Sequence, residues 1–345
     1  MKVTMQTIAE RVGVSKNAVS LAFKHDPSIP AKTREKIIKT ADELGYRRNQ
    51  ILSELMSQMR KQNRESVYAT VALINGHQDR QAFANHRTIP NYVRGCQERA
   101  QMLGYAIDPL WLHDPELSGK RWLEILEARG IRGVIVIGLM KENRLPSAFL
   151  PVIDQFPCVV TGVRTREPAL PFACVDHYIL ALRAFEQALQ LGYRRPALVL
   201  DSVIDELVDH RFSAGFHTGQ QQLPPERRIT PFFDVTGARE KRALFNSWLG
   251  QEKPDVIFTL YNEVQLWLED LGLKAPGDIG LIQLEWRETR PDWAGMNQHN
   301  DIVGQTAFDM LVGMIHRGEA GAPPYPRAAL IGPSWVDGQT VRAQA

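Results

Sequence analysis

Residues 4–23, TMQTIAERVGVSKNAVSLAF, hold two short helical patterns on either side of a glycine. Thr4 is placed to cap a first helix through Val12, with Met5, Ile8, Ala9 and Val12 at the i, i+3, i+4, i+7 spacing of one apolar face. Gly13 ends it. Ser15 then caps a second helix through Phe23, turning Ala18, Val19 and Ala22 inward and leaving Lys16, Asn17 and Ser20 outward. Two helices joined by a short glycine-containing turn, the second with a polar outer face, form a helix-turn-helix.

Pro30 sits at the first turn of a third helix, AKTREKIIKTADEL, whose buried stripe is Ile37, Ile38, Ala41 and Leu44 and whose stop is Gly45. These helices belong to a basic segment. The first 64 residues carry 13 Lys/Arg against 6 Asp/Glu, while the whole 345-residue chain has a net charge of only +2. A basic head on a mildly acidic body points to a module that binds a polyanion, with nucleic acid as the first candidate. An ordinary helical bundle with a solvated basic face is the blander reading, and the outward polar residues that open the second helix favour DNA.

The stretches TIAERVGVSKNAVSLAF and IPAKTREKIIKTADELGYRRN resemble the DNA-binding head of the lactose-repressor (LacI/GalR) family of bacterial transcription regulators. The resemblance implies a homodimer that inserts one recognition helix per subunit into adjacent major grooves of a pseudo-palindromic operator. By position, Lys16 and Asn17 would meet base edges, Lys suiting guanine acceptors and Asn pairing with adenine. Ser15, Ser20, Lys32, Thr33 and Arg34 would contact phosphates, which position the head without reading sequence. Lys36 and Lys39 read as solvated charges. Leu21 stands where many members place an arginine that reaches a base, so an operator unlike the family's commonest half-sites is expected.

In that family a short hinge helix wedges a leucine into the central minor groove. Leu55 falls at the wedge position with Met56 beside it, but Arg48 replaces the usual proline, and Arg60, Lys61 and Arg64 form a basic linker that the family pattern does not explain. Ile51, Leu52, Leu55, Met56 and Met59 equally fit an amphipathic helix pairing with its dimer mate.

From Tyr68 the pattern changes to apolar runs alternating with amphipathic helices. YATVALI, YAIDPLW, GVIVIG, CVVTG, PALVL, DVIFTL and IGLIQL read as strands. Helices are expected over 91–103, 117–129, 178–191 and 264–271, each followed by glycine. Such repeats imply parallel sheet, and their number favours two α/β lobes with ligands at the carboxyl ends of strands. The resemblance extends to this body, which in the family is like periplasmic sugar-binding proteins. It implies chain crossings near 162–165, 286–294 and 321–327.

The expected organisation is therefore a small all-α helix-turn-helix head (1–48), a hinge and linker (49–66), and an α/β body of two parallel-sheet lobes (67–345). Lobe 1 takes about 67–162 plus 294–322, and lobe 2 about 165–288 plus 326–345. For the effector, a sugar or related metabolite, the resemblance implies Arg211, which opens RFSAGF, together with Asn262, Glu285 and Trp286. Glu285 stands where an aspartate is common, and its surroundings, Gln283-Leu284-Glu285-Trp286, depart from the family pattern. Trp286 and Trp293 suit either stacking on a sugar or plugging the hinge between lobes. Phe232 and Phe233 are equally ambiguous.

Enzyme chemistry finds no support: the chain has no GxSxG elbow, P-loop, GxGxxG after a strand or HExxH, and no catalytic residue is expected. Asp176-His177 reads as a helix cap and its neighbour, and the resemblance implies a place at the body's subunit interface or in nearby structure. Cys96, Cys158 and Cys174 are odd in number and set in apolar surroundings, as suits reduced core thiols. The nine scattered histidines hold no ligand spacing, so neither a metal nor a cofactor is expected. The polar start and the lack of a long apolar window indicate neither export nor membrane insertion, and with the resemblance they imply a location in the bacterial cytoplasm, associated with the nucleoid. The reading is a DNA-binding regulator, a repressor with an effector in the inter-lobe cleft. The alternatives are an effector-independent DNA binder and a solute-binding protein.

Overall fold

The computed structural model describes residues 5–22, 29–44 and 68–344, and divides the chain into two compact units, Met1–Ser66 and Val67–Ala345. The head contains α1 (Met5–Val12), α2 (Lys16–Ala22) and α3 (Ala31–Glu43). Gly13 adopts φ +80°, a conformation that side chains resist, and both its N–H and that of Val14 donate back to Ala9 O at 2.9 and 3.0 Å. Ser15 Oγ accepts from the Ala18 N–H at 3.1 Å, capping α2 as its sequence position suggests. Pro30 opens α3 by accepting from Thr33 and Arg34. Ile8, Ala9, Val19, Ala22, Ile37 and Ala41 form the shared core, with Leu44 packed against it. Ala18 and Ile38 are only half-buried and lie at its margin. Thr4, Phe23, Gly45, the hinge segment 49–66 with Leu55 and Met56, and the side chains of Met5, Lys16, Asn17 and Ser20 lie outside the described residues.

In the body the strands are β1 (Ala69–Asn75), β2 (Tyr105–Trp111), β3 (Ile131–Ile137), β4 (Cys158–Thr161), β5 (Phe172–Val175), β6 (Pro196–Val199), β7 (Val256–Thr259), β8 (Gly280–Gln283), β9 (Ala294–Asn297), β10 (Ala328–Ile331) and β11 (Ser334–Val336). The helices continue with α4 (Ala82–Asn85), α5 (Ile89–Leu103), α6 (Lys120–Ala128), α7 (Leu150–Gln155), α8 (His177–Gln190), α9 (Ser202–Leu207) and α10 (Arg211–Gln220). They finish with α11 (Val235–Glu240), α12 (Ala243–Glu252), α13 (Glu263–Glu269) and α14 (Asn300–Arg317).

Two sheets result, in the orders β10-β5-β4-β3-β1-β2 and β11-β9-β8-β7-β6. Every pair is parallel except β11 with β9. The apolar runs explain this: β4, β5, β6, β7 and β8 are buried along their whole length, as strands covered on both faces must be.

Close helix approach fixes the layers on each lobe. A Cβ on Gly95 of α5 would lie 1.9 Å from Asp301 O, and one on Gly304 of α14 would lie 2.2 Å from Tyr92 O, so α5 and α14 meet backbone to backbone. The second lobe repeats the device, with Gly215 of α10 against Tyr178 O of α8.

The lobe boundaries differ from those expected. Phe172–Val175 and Ala328–Ile331 belong to the first sheet, and Ala294–Asn297 to the second. The chain therefore crosses after β5 near residue 176, after β9 near 298–299 and after β10 near 332–333, in each case later than 162–165, 286–294 and 321–327. The reason is that each lobe completes one more short strand before releasing the chain. FACV and AGMN, four residues each, carry too little periodicity to be recognised alone.

Candidate functional site

A cavity of about 310 Å³ lies between the lobes, at the carboxyl ends of strands from both sheets. Gly138 and Leu139 follow β3, Thr161 ends β4 with Gly162 and Val163 after it, Leu260 and Tyr261 follow β7, and Glu285 and Arg287 follow β8. Helix starts complete the wall: Thr88 and Tyr92 at α5, His177 at α8, Phe212 at α10. A second cavity of about 460 Å³ adjoins it and shares His86, Arg87, Glu285 and Arg287, adding Asn262, Gln283, Thr289, Arg290 and Trp293.

Glu285 is 7 % exposed and, among the described residues, is the one carboxylate lining either cavity. It pairs with Arg287 and accepts from Asn300 Nδ2 at 3.2 Å. Arg239 is held by Glu263 and lies over the Tyr261 ring at 5.3 Å. Several buried polar atoms have no partner: Thr161 Oγ1, His177 Nδ1 and Arg287 Nε on the first cavity, and Gln283 Oε1 on the second. Buried groups of this kind are normally satisfied, so their clustering at one cleft marks a place where a ligand completes the hydrogen bonding.

Both cleft histidines are neutral. Burial and then Arg211 lower the pKa of His177 to about 3. Burial lowers that of His86 to about 4, helped by His77, Arg287 and Arg87 and opposed by Asp79. His86 Nδ1 accepts from the backbone N–H groups of Thr88 and Ile89, which leaves the proton of the neutral ring on Nε2 as a donor.

The family model described as bacterial regulatory proteins of the lacI family matches residues 4–49, and the model for a periplasmic binding protein-like domain matches residues 185–341. The chain carries a LacI-type helix-turn-helix head and a periplasmic-binding-protein-like body. Among its relatives, the catabolite control protein A of Priestia megaterium is 23% identical over 326 residues, covering 90% of this chain and 92% of that protein. The lactose operon repressor of Escherichia coli (strain K12) is 22% identical over 340 residues, covering 92% and 86%. In fold the chain is similar to a lac repressor dimer bound to operator and the anti-inducer ONPF, at TM-score 0.59 and 20% identity over 99% of this chain and 100% of that one. It is also similar to a CelR–cellobiose complex, at TM-score 0.57 and 18% identity over 98% and 99%.

A LacI-type head joined to a periplasmic-binding-protein-like body is the build of a DNA-binding transcription regulator. Among the expected effector residues, Glu285 lines both cavities and Asn262 the second, where its Oδ1 accepts from Gln283 Nε2 at 2.9 Å. Arg211 opens α10 but lines only a small adjoining pocket with Arg164, Asp209 and His177, and its Nη1 is buried without a partner. Trp286 lines no described cavity: its backbone N–H pairs with Met296 O, and its buried Nε1 has no partner. Trp293 is buried in the second lobe's core yet borders the second cavity, and Phe232 packs against Phe245 and Trp248. Phe233 is half-buried against the main core.

Asp176 caps α8, accepting from Ile179 N at 3.2 Å, and His177 beside it lines the cleft, a placement the cap pattern does not signal. Arg87, Arg239 and Arg287 were also not foreseen. Arg287 had a usable signal, two residues beyond a strand-end carboxylate; the loop residue Arg87 had none. The three cysteines are buried and unpaired, and burial raises each thiol's pKa, consistent with packing roles.

In the head, Ser15 and Lys32 are exposed, while Thr33 and Arg34 are half-buried, with Arg34 Nη2 donating to Ile29 O at 2.9 Å. Leu21 is half-buried on α2. Among the described residues no group of side chains suits a metal and no helix is long and apolar enough to cross a membrane.

Proposed function

We propose that the chain is a repressor that binds a pseudo-palindromic operator as a homodimer, and that an effector in the inter-lobe cleft modulates its affinity for that DNA. The observation that carries this reading is the pairing of a Ser15-capped α2 in the head with a cleft whose wall is built from strand ends of both lobes. A ligand that touches both walls binds one lobe arrangement better than another, which is the differential affinity that allostery needs.

In this reading α2 lies in the major groove, with Lys16 and Asn17 at base edges and Ser15, Ser20, Lys32, Thr33 and Arg34 at phosphates. Leu55 and Met56 act at the minor groove, and Arg211 and Asn262 take part in effector recognition, with Glu285 contributing by setting the position of Arg287 in the cleft wall. The chain carries out no catalysis and works in the bacterial cytoplasm, where its operator is. The lac repressor dimer bound to operator and the CelR–cellobiose complex, as structural relatives, support the assignment.

Selection of bound fragments from random DNA by the full chain tests it. Enrichment of a two-fold sequence with half-sites about one helical turn apart is expected. Binding that is equally tight to every fragment would overturn it.

A further inference from the structure

The cleft carries a surplus of positive charge that its internal pairs do not cancel. Arg87, Arg239, Arg287 and Arg290 line its two cavities against the carboxylate of Glu285. Arg239 is offset by Glu263 behind it and Arg287 by Glu285. Arg87 and Arg290 have no carboxylate partner among the described residues, and Arg290 rests over the Trp293 ring at 5.5 Å. Arg287 is only 16 % exposed and keeps a buried Nε with no acceptor. Like-charged guanidinium groups around one concavity repel one another, and an anion relieves that cost while supplying acceptors.

Deeper in the first cavity the wall changes character. Thr161 Oγ1 and His177 Nδ1, on residues 2 % and 6 % exposed, wait for partners beside the apolar faces of Tyr92 and Phe212. Such a wall suits a hydroxylated body with C–H faces, and the arginines at the shared rim suit a charged end.

We propose that the effector is an anion: a polyhydroxylated small metabolite bearing a carboxylate or phosphate, its charge held by Arg87, Arg287 and Arg290 and its hydroxyls by Thr161 and His177. This rests on the reading of the cleft as the effector site. A neutral sugar leaves Arg87 and Arg290 without a partner and Arg287 Nε unsatisfied, so it gains less from the same cavity.

The test uses the full chain and titrates inorganic phosphate against chloride at matched ionic strength, following thermal stability. A panel of aldoses, each with its aldonic acid and its phosphate ester, is titrated alongside by calorimetry. Phosphate is expected to raise the melting temperature where chloride does not, and panel members are expected to bind only in their anionic forms, the carboxylated or phosphorylated half of the panel identifying the charged group. The double variant R87Q/R290Q, both positions exposed and so compatible with folding, should weaken anion binding by about tenfold to a hundredfold. R121Q, which removes a charge outside both cavities, should leave it unchanged. A phosphate response equal to that of chloride, or one that survives in R87Q/R290Q, overturns the anion assignment. Neutral aldoses that bind as tightly as their anions also overturn it, while leaving the effector reading standing. That reading fails separately, if a bound ligand leaves operator affinity unchanged.

Discussion

Asn300, the first residue of α14, donates from Nδ2 to Glu285 Oε1 at 3.2 Å, and so ties the end of β8 in the second lobe to the helix that carries the chain back to the first. The same carboxylate holds Arg287, so one buried acid organises both the lobe junction and the cationic wall of the cleft.

Removing that acid has two opposed consequences. Glu285→Gln leaves Arg287 as a largely buried cation without its counter-ion, which should destabilise the body by about 3 kcal/mol. It also removes the carboxylate that competes with a bound anion, so affinity for an anionic ligand should rise. Chemical denaturation and calorimetry on the same variant check both. A variant that loses stability and anion affinity together contradicts the role given to Glu285.

The stability of the body should fall in mild acid. His177 is buried, its ring edge-to-face with Phe212 at 4.7 Å, and its folded pKa of about 3 lies below the ordinary 6.5. The unfolded chain therefore binds the proton first. Stability present above pH 6.5 is lost as pH falls from there toward 3, at about 1.4 kcal/mol per pH unit. His86, with a folded pKa of about 4, acts in the same direction. Denaturation midpoints measured from pH 7.5 to 5 should decline, and His177→Gln should flatten the decline. An equal slope in wild type and variant rejects the assignment.

The two glycine contacts set opposite expectations for one type of substitution. Gly304→Ala forces a methyl to within 2.2 Å of the Tyr92 carbonyl oxygen and should cost about 3 kcal/mol. Gly250→Ala in α12 meets nothing within 4 Å and should gain about 0.5–1 kcal/mol from helix propensity. Calorimetric melting of the two variants reads both signs directly.

In the head, base and phosphate roles separate by salt and sequence. Lys16→Ala should relax the preference at one operator position at a cost of about 1–3 kcal/mol, whereas Lys32→Ala should weaken all sequences alike and lower the salt slope by about one. Ser15→Ala removes the α2 cap and should cost about 1 kcal/mol of head stability. Leu55→Ala should weaken operator affinity and reduce DNA bending; unchanged bending rejects a minor-groove wedge. Leu21 gives an arginine-type base contact no donor, so the selected half-sites should differ from the family's commonest ones.

The head was legible because its signals are local: a left-handed Gly13, a Ser15 cap and three short apolar stripes each announce themselves within a few residues. Most body strands were legible as apolar runs long enough to count. The crossovers were not, because which sheet receives β5, β9 or β10 is decided by neighbours far away in sequence. The cleft was half legible. Glu285 and Asn262 stand at strand ends, where position alone suggests a ligand. Arg87 and Arg287 reach the site from irregular loops without periodicity, and His177 looked like a cap's neighbour because nothing local shows that α8 begins at a wall of the cleft.

The most direct test of cleft control over DNA binding is a paired titration on the selected operator. One arm measures operator affinity with and without saturating ligand, and the other measures ligand affinity with and without saturating operator. The predicted result is one shared factor of at least about fivefold in both arms, as linkage requires. A ligand that occupies the cleft yet leaves operator affinity unchanged would contradict the account.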